Sequence, residues 1–258
     1  MNASVLAAQP VREAEIPAKR GFEHVHTWIF DLDNTLYPAT CNLFAEVDQR
    51  MGAYIAKTIG VPLEHARHLQ KVYYRQFGTT LAGLMKVHKL APGPFLEYVH
   101  DIDLSSVADM PELAAAIAAL PGRRLIFTNG SRRHAENVAT RLGVLELFED
   151  ICDIAALEYV PKPEREAFDR LMKLHDVRPA NAAMFEDMPH NLEVASSLGM
   201  TTVLVHSDYV DHPAQLKIRH WQELPEHVHY LTRDLTGFLT SEIVSRVQCT
   251  ASLSPSAS

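Results

Sequence analysis

Short apolar segments alternate with helical patterns along most of this chain, and this alternation restricts the fold more than any other feature. Runs rich in β-branched and aromatic residues predict strands at residues 27–32, 124–128, 151–154, 182–186, 201–205 and 228–231. Helical patterns separate most of them, at residues 133–142, 164–175 and 190–198. Gly143 and Gly199 follow two of these helices, where a left-handed C-cap is common. The sequence therefore predicts an α/β fold in which helices cover both faces of a parallel sheet.

The segment between the first two predicted strands is too long for a simple connection and is helical almost throughout. Helices are predicted at residues 41–59, 62–76, 79–88, 94–101 and 111–120. We therefore expect residues 37–120 to form an all-helical subdomain inserted into a core of residues 25–36 and 121–245. Residues 1–24 are expected to be a flexible leader, and the small polar residues 246–258 a disordered tail.

The charge balance and the cysteine content exclude several classes of protein. With 24 basic and 32 acidic residues, the net charge is −8 and the pI is about 5.9, so we expect no nucleic-acid or membrane partner. The three cysteines include no CxxC pair and predict neither a disulfide framework nor a cysteine zinc site. The start of the chain does not resemble a signal peptide, and the longest apolar run is far shorter than a membrane span. The prediction is a cytoplasmic protein.

Two acidic residues follow the first predicted strand. Asp31 and Asp33 are separated by one residue, and ligands of open parallel sheets bind beyond the carboxyl ends of the strands. Two neighbouring carboxylates repel each other, and a hard divalent cation such as Mg²⁺ relieves that repulsion. Taken alone, the pair is equally consistent with two solvated loop residues.

The later predicted strands also end in polar residues, each of which has an ordinary structural interpretation as well. Residues 128–131 offer a hydroxyl and several backbone N–H groups for an anion, or simply a helix N-cap. Lys162 lies between two prolines, which fix its position at a site or in a surface turn. Glu186 and Asp187 end the fourth strand, as further ligands or as acids at a helix start. Together these residues favour metal-assisted phosphoryl chemistry.

These four segments resemble, in order and in spacing, the four motifs of the haloacid dehalogenase-like (HAD) hydrolase superfamily. The motifs are residues 30–36 (FDLDNTL), 127–130 (FTNG), 162–163 (KP) and 185–187 (FED). The resemblance covers residues 24–240 and implies a Rossmann-like core with an inserted helical cap. The superfamily commonly has glycine after the second aspartate, where this chain has Asn34, a residue that tolerates left-handed geometry.

The resemblance also implies a role for each motif residue. Asp31 would be the nucleophile that forms an aspartyl-phosphate, and Asp33 the general acid and base. Asp31, the backbone carbonyl of Asp33 and Asp187 would hold Mg²⁺, with Glu186 as a direct or outer ligand. Thr128 and the backbone of Asn129 would bind phosphate, and Lys162 would neutralise both the nucleophile and the phosphate.

The resemblance further points to a phosphatase, because the dehalogenase branch has no counterpart of Asp33. The cap segments 74–84 and 95–103 are similar to those of the pyrimidine 5′-nucleotidase subfamily, which acts on nucleoside monophosphates such as UMP and CMP. The expected partner is thus a small phosphorylated metabolite, and an oligomer is possible but has no support in the sequence. Four cap residues have side chains suited to a base or ribose, although packing within the cap explains them as well: Tyr74, Arg75, Phe77 and His100.

Alternative functions remain open at this stage. A phosphoglycolate or sugar-phosphate phosphatase, or a phosphomutase, would use the same scaffold and the same motif residues. A non-catalytic regulatory protein is disfavoured, since it would typically have lost one of the acids, and all of them are present.

Overall fold

A computed structural model describes residues 21–207 and 218–245. A six-stranded parallel sheet forms its centre, in the order β3-β2-β1-β4-β5-β6. The strands are β1 (Thr27–Phe30), β2 (Arg123–Phe127), β3 (Asp150–Cys152), β4 (Ala182–Glu186), β5 (Thr201–Val205) and β6 (Tyr230–Thr232). The sheet confirms the predicted α/β class, with each predicted strand found within two residues of its expected start.

Nine α-helices are present in the described residues. They are α1 (Leu43–Ile55), α2 (Leu63–Phe77), α3 (Thr80–His88), α4 (Pro92–Val99), α5 (Pro111–Ala118), α6 (Arg132–Arg141), α7 (Arg165–His175), α8 (Pro189–Ser197) and α9 (Leu235–Phe238). The first helix is shorter than the predicted 41–59, because its last part widens into a π-helical turn, Ala56–Gly60. Gly143 and Gly199 have φ of 75° and 95°, as the C-cap interpretation requires.

Helices cover both faces of the sheet because alternate residues of each strand point in opposite directions. Trp28 and Phe30 of β1 lie on one face, where the Phe30 ring stacks on Phe185 at 4.6 Å. Ile29 lies on the other face with Leu125 and Met184. All four residues of β1 are buried, as expected for a central strand.

The inserted helices divide into two groups by their packing. Helices α1 to α4 contact one another and bury Val47, Leu84 and Phe95 between them. In contrast, α5 packs against α9 and the π-helical turn Leu239–Val244, through Leu113 and Ile117. Helix α5, placed at sequence level in residues 37–120, therefore belongs by its contacts to the layer that covers the sheet.

The core also begins earlier than residue 25. Phe22 is buried, and its ring lies 5.9 Å from that of Trp28 and 4.8 Å from that of Tyr230. The expected flexible leader otherwise falls on residues 1–20, and the expected tail on residues 246–258, all outside the described residues. Within the described residues, no helix combines the length and the apolar character needed to cross a bilayer.

Candidate active site

The candidate site lies at the carboxyl edge of the sheet, where β1 is flanked by β2 and β4. The backbone N–H of Asp31 donates to the carbonyl of Phe185 at 2.9 Å, which continues the strand pairing by one residue. The chain then turns at Asn34, whose φ of 61° is left-handed. Asparagine adopts this conformation at low cost, so the glycine common at this position is not required. This turn brings Asp31 and Asp33 back to the same edge as the ends of β2 and β4.

Lys162 is a buried cation at the centre of this edge, with only 2% of its surface exposed. Its Nζ donates to Asp31 Oδ1 at 2.7 Å, to Glu186 Oε2 at 2.8 Å and to the carbonyl of Phe127 at 2.8 Å. All three ammonium protons are thus used. Burial alone would lower the pKa of Lys162, but the charges of Asp31 and Glu186 outweigh it and raise that pKa. The ammonium stays charged and held at one point.

Three carboxyl groups cluster at this edge, and two of them are bonded to the lysine. Asp31, Glu186 and Asp187 are all buried, and each places one oxygen within 4.8 Å of the others. Burial, and next the charge of Glu186, raises the pKa of Asp31 to about 7. Burial together with the charges of Glu186 and Asp31 raises the pKa of Asp187 well above its usual range. One lysine therefore does not compensate three buried acids.

This donor set fits a divalent cation. Carboxylate oxygens are the ligands that Mg²⁺ prefers, and a second positive group would relieve the repulsion that raises the two pKa values. Asp31 and Asp187 would hold the ion with the backbone carbonyl of Asp33, and Glu186 lies within the same cluster.

The second acid of the first motif has a different environment. Asp33 Oδ1 accepts hydrogen bonds from the Tyr37 hydroxyl at 2.7 Å and from His134 Nε2 at 2.8 Å. Burial alone would raise the pKa of Asp33, but the charge of His134 and these two hydrogen bonds outweigh it and lower that pKa to about 2. Asp31 and Asp33 are thus neighbours in sequence whose pKa values differ strongly.

The loop after β2, residues 128–131, lies beside Asp33. Thr128 is buried, and its Oγ1 accepts a hydrogen bond from the N–H of Gly130 at 2.9 Å. The Asn129 side chain is bound to the backbone of Lys162 in both directions, at 2.9 and 3.2 Å. Ser131 begins α6 as its N-cap, accepting from the N–H of His134. The loop predicted to bind phosphate therefore also holds the lysine segment in place.

The four cap residues singled out in the sequence have different surroundings. Tyr74 is 38% exposed, and burial together with the charges of Asp187 and Glu186 raises its pKa to about 12. The Phe77 ring packs beside Tyr73 with Lys86 over its face, and Arg75 bonds the carbonyl of Lys71 within its own helix. Of these residues, Tyr74 thus interacts electrostatically with the acid cluster. Phe77 and Arg75 instead contact other residues of the cap.

His100 makes a contact between the cap and the core. It caps the C-terminal end of α4, its Nδ1 lies 2.9 Å from Ser131 Oγ, and its ring stacks on His134 at 4.3 Å. Burial, and next the charge of His134, lowers the pKa of His100 to about 3. His100 is therefore a neutral ring that is hydrogen-bonded to the Ser131 hydroxyl.

Two site residues were not singled out as functional from the sequence: Tyr37 and His134. A signal for His134 was present, because it shares the apolar face of α6 with Val138, four residues later. A polar residue on such a face needs a partner, and that partner is 101 residues away in the chain. Tyr37 directly follows the first motif, residues 30–36, and carried no chemical requirement of its own.

The parallel sheet, the four acids and the buried lysine at its edge define a class of hydrolases. The model of the haloacid dehalogenase-like hydrolase family matches residues 25–199, and the chain belongs to this family. A curated relative, Phosphate metabolism protein 8 of Saccharomyces cerevisiae, is 26% identical over 206 residues of alignment, and the match covers 73% of this chain and 62% of that protein. The chain thus spans less than two thirds of that relative.

Solved structures of low sequence identity share the fold. The HAD phosphatase from Thermococcus onnurineus superimposes with a TM-score of 0.52 at 17% identity, covering 83% of this chain and 96% of that one. The HAD-hydrolase YfnB from Bacillus subtilis, bound to magnesium, gives 0.53 at 14% identity, covering 84% and 97%. L-2-haloacid dehalogenase from Xanthobacter autotrophicus gives 0.52 at 15% identity, covering 84% and 99%.

Proposed function

We propose that this hydrolase is a phosphatase that cleaves phosphoric monoesters through an aspartyl-phosphate on Asp31. The observation that carries the proposal is the contrast between two carboxylates at one strand end. Asp31 is bonded to the buried Lys162, while Asp33 is bonded to Tyr37 and His134. Two acids in unlike environments, side by side, suit a nucleophile and a general acid–base.

The two chemical steps follow from these contacts. The Asp31 carboxylate attacks phosphorus, the bond from phosphorus to the leaving oxygen breaks, and Asp33 gives that oxygen its proton. The negative charge of the arriving phosphate favours protonation of Asp33, against the low pKa of the free site. Water then attacks phosphorus, its proton passes to Asp33, and the bond to Asp31 breaks to release inorganic phosphate.

Lys162 has the same role in both steps. Its ammonium lies 2.7 Å from Asp31 Oδ1, so it neutralises charge at the nucleophile before and after phosphoryl transfer. Thr128 and the backbone N–H of Asn129 bind phosphate oxygens in this proposal. A bound Mg²⁺ would supply the additional positive charge that keeps the acids ionised and offsets the negative charge of the phosphate.

For the substrate, we propose a pyrimidine nucleoside monophosphate. The support comes from the cap segments that resemble pyrimidine 5′-nucleotidases and from Tyr74, an exposed aromatic ring close to the acid cluster. An aromatic face is suited to stacking on a base.

The test is phosphate release from UMP, CMP, dUMP, AMP, phosphoglycolate and a sugar phosphate, with Mg²⁺ and with EDTA. We expect release that EDTA suppresses, fastest from the pyrimidine nucleotides. Asp31→Asn should reduce release to background while the fold is kept, and Asp169→Asn on the exposed face of α7 is the matched control. Release from phosphoglycolate or sugar phosphates alone would support the assignment as a phosphatase and contradict the assignment as a nucleotidase. Full activity of Asp31→Asn would contradict the assignment of Asp31 as the nucleophile.

Metal binding has a test that does not need a substrate. Mg²⁺ should raise the unfolding temperature in proportion to RT ln(1 + [Mg²⁺]/Kd), and EDTA should reverse the rise. Asp187→Asn should abolish this response, because it removes one of the three clustered carboxylates. An equal shift in the variant and in the unaltered chain would contradict the site.

A further inference from the structure

Asp33 is held by two donors that come from different parts of the chain. Tyr37 lies four residues after it, and His134 comes from the first turn of α6, 101 residues away. Both donors bind the same oxygen, Oδ1. Among the hydrogen bonds of the described residues, none reaches Oδ2, which lies 3.8 Å from where a Cβ on Gly130 would be. The free oxygen therefore faces the loop proposed to bind phosphate.

His134 is itself fixed on several sides. His134 is 1% exposed, and its backbone N–H donates to Ser131 Oγ. Its ring stacks on His100 with an interplanar angle of 12°. His100 is in turn bonded to Ser131 Oγ. A buried ring bound in this way has one orientation, and its Nε2 is aimed at Asp33.

We propose that His134, together with Tyr37, is a positioning residue that holds Oδ1 of Asp33 and turns Oδ2 toward the leaving oxygen of the substrate. The inference deepens the proposed phosphatase function and rests on it. It also gives the cap a part in the chemistry, because His100 of the cap is packed on the ring of His134. A general acid acts well only when its oxygen is within hydrogen-bond reach of the reacting atom.

The leaving group of the substrate distinguishes this role from a structural one. An alkyl leaving oxygen needs a proton, whereas p-nitrophenolate leaves without one. The constant kcat/KM reports the steps up to phosphoryl transfer to Asp31. His134→Ala should therefore lower kcat/KM by about 100-fold for the best alkyl phosphate of the panel, the range of general acid catalysis. For p-nitrophenyl phosphate the decrease should be small.

Three further variants make the comparison specific. His134→Gln keeps an N–H donor and should recover much of the alkyl-phosphate activity. Tyr37→Phe should show the same preference for the activated substrate. Val138→Ala, a cavity one turn later on the buried face of α6, should reduce stability while leaving both kcat/KM values unchanged.

A double-mutant cycle completes the test. If His134 acts through Asp33, His134→Ala should cause little further loss in an Asp33→Asn background. Equal losses for both substrates, or full additivity with Asp33→Asn, would overturn the positioning role while leaving the phosphatase intact. Absence of phosphate release by the unaltered chain from every substrate would overturn the proposed function, and the inference with it.

Discussion

At the scale of single residues, Lys162 shows how the site is held together. Removing a lysine from water costs several kcal/mol, and the cost is offset only when its charge and its protons are all matched. Here the ammonium donates one hydrogen bond each to Asp31, Glu186 and the carbonyl of Phe127. Both carboxylates depend on the lysine in turn, because Lys162 is the cation bonded to each of them. The charge of one residue thus makes the burial of the others tolerable.

Replacement of this lysine should therefore destabilise the fold as well as the activity. Lys162→Met keeps the length of the side chain but leaves Asp31 and Glu186 buried without their cation. The free energy of unfolding should fall by about 3 kcal/mol, the lower end measured for broken buried ion pairs, and phosphate release should be lost. Urea unfolding without metal measures the first effect. Lys173→Met, at an exposed position of α7, is the control; an equal stability of the two variants would contradict the argument.

At the scale of elements, turns fix how helices enter the sheet. Gly122 joins α5 to β2 with φ of 84°, and a Cβ there would lie 2.3 Å from the carbonyl oxygen of His26. The same carbonyl accepts the N–H of Arg123 at 2.9 Å. The approach of β1 and β2 therefore needs a residue without a side chain at this point.

Gly122→Ala should be far more destabilising than a matched change elsewhere. Gly60 has a similar φ of 77° but open space where a Cβ would be. Gly60→Ala should cost about 1 kcal/mol from the left-handed backbone alone. Gly122→Ala adds a clash with the backbone and should cost about 3 kcal/mol or more. Comparison of the two unfolding midpoints tests the difference, and equal midpoints would exclude the clash.

At the scale of the whole molecule, the cap and the core meet at the candidate site. His100, at the end of cap helix α4, stacks on His134 of core helix α6 and is hydrogen-bonded to Ser131, the N-cap of that helix. The titratable groups that face His100 are His134 and Asp33, and burial is the main reason that the pKa of His100 falls to about 3. The contact is therefore made by the neutral form of His100.

This contact predicts a loss of stability in acid. The pKa of His100 is about 3 in the folded chain and near the ordinary 6.5 in the unfolded chain. The unfolded chain thus binds the proton more readily, so the contribution of His100 is fully present above pH 6.5 and declines as the pH falls below it. His100→Asn keeps a polar partner for Ser131 but has no group that titrates, so the variant should lose less stability than the unaltered chain when the pH falls from 7 to 5. Parallel stability curves in urea would refute this.

Much of the fold and of the site was predictable from local pattern. Strand and helix patterns located all six strands of the sheet, because each strand of a parallel sheet is buried between two helical layers and is therefore a short apolar run. The acids and the lysine were recognisable because parallel strands bring their carboxyl ends to one edge. Asp31, Lys162, Glu186 and Asp187 do meet there. The roles given to them stay predictions for the experiments above.

The sequence by itself therefore determined the alternation of strands and helices, the covered parallel sheet and the edge at which the acids gather, because each follows from local periodicity. Only the tertiary structure decided which groups touch Asp33, that α5 covers the sheet instead of joining the cap, and that His100 stacks on His134. These contacts join residues far apart in the chain. Their geometry depends on how whole elements pack, and no local pattern encodes it.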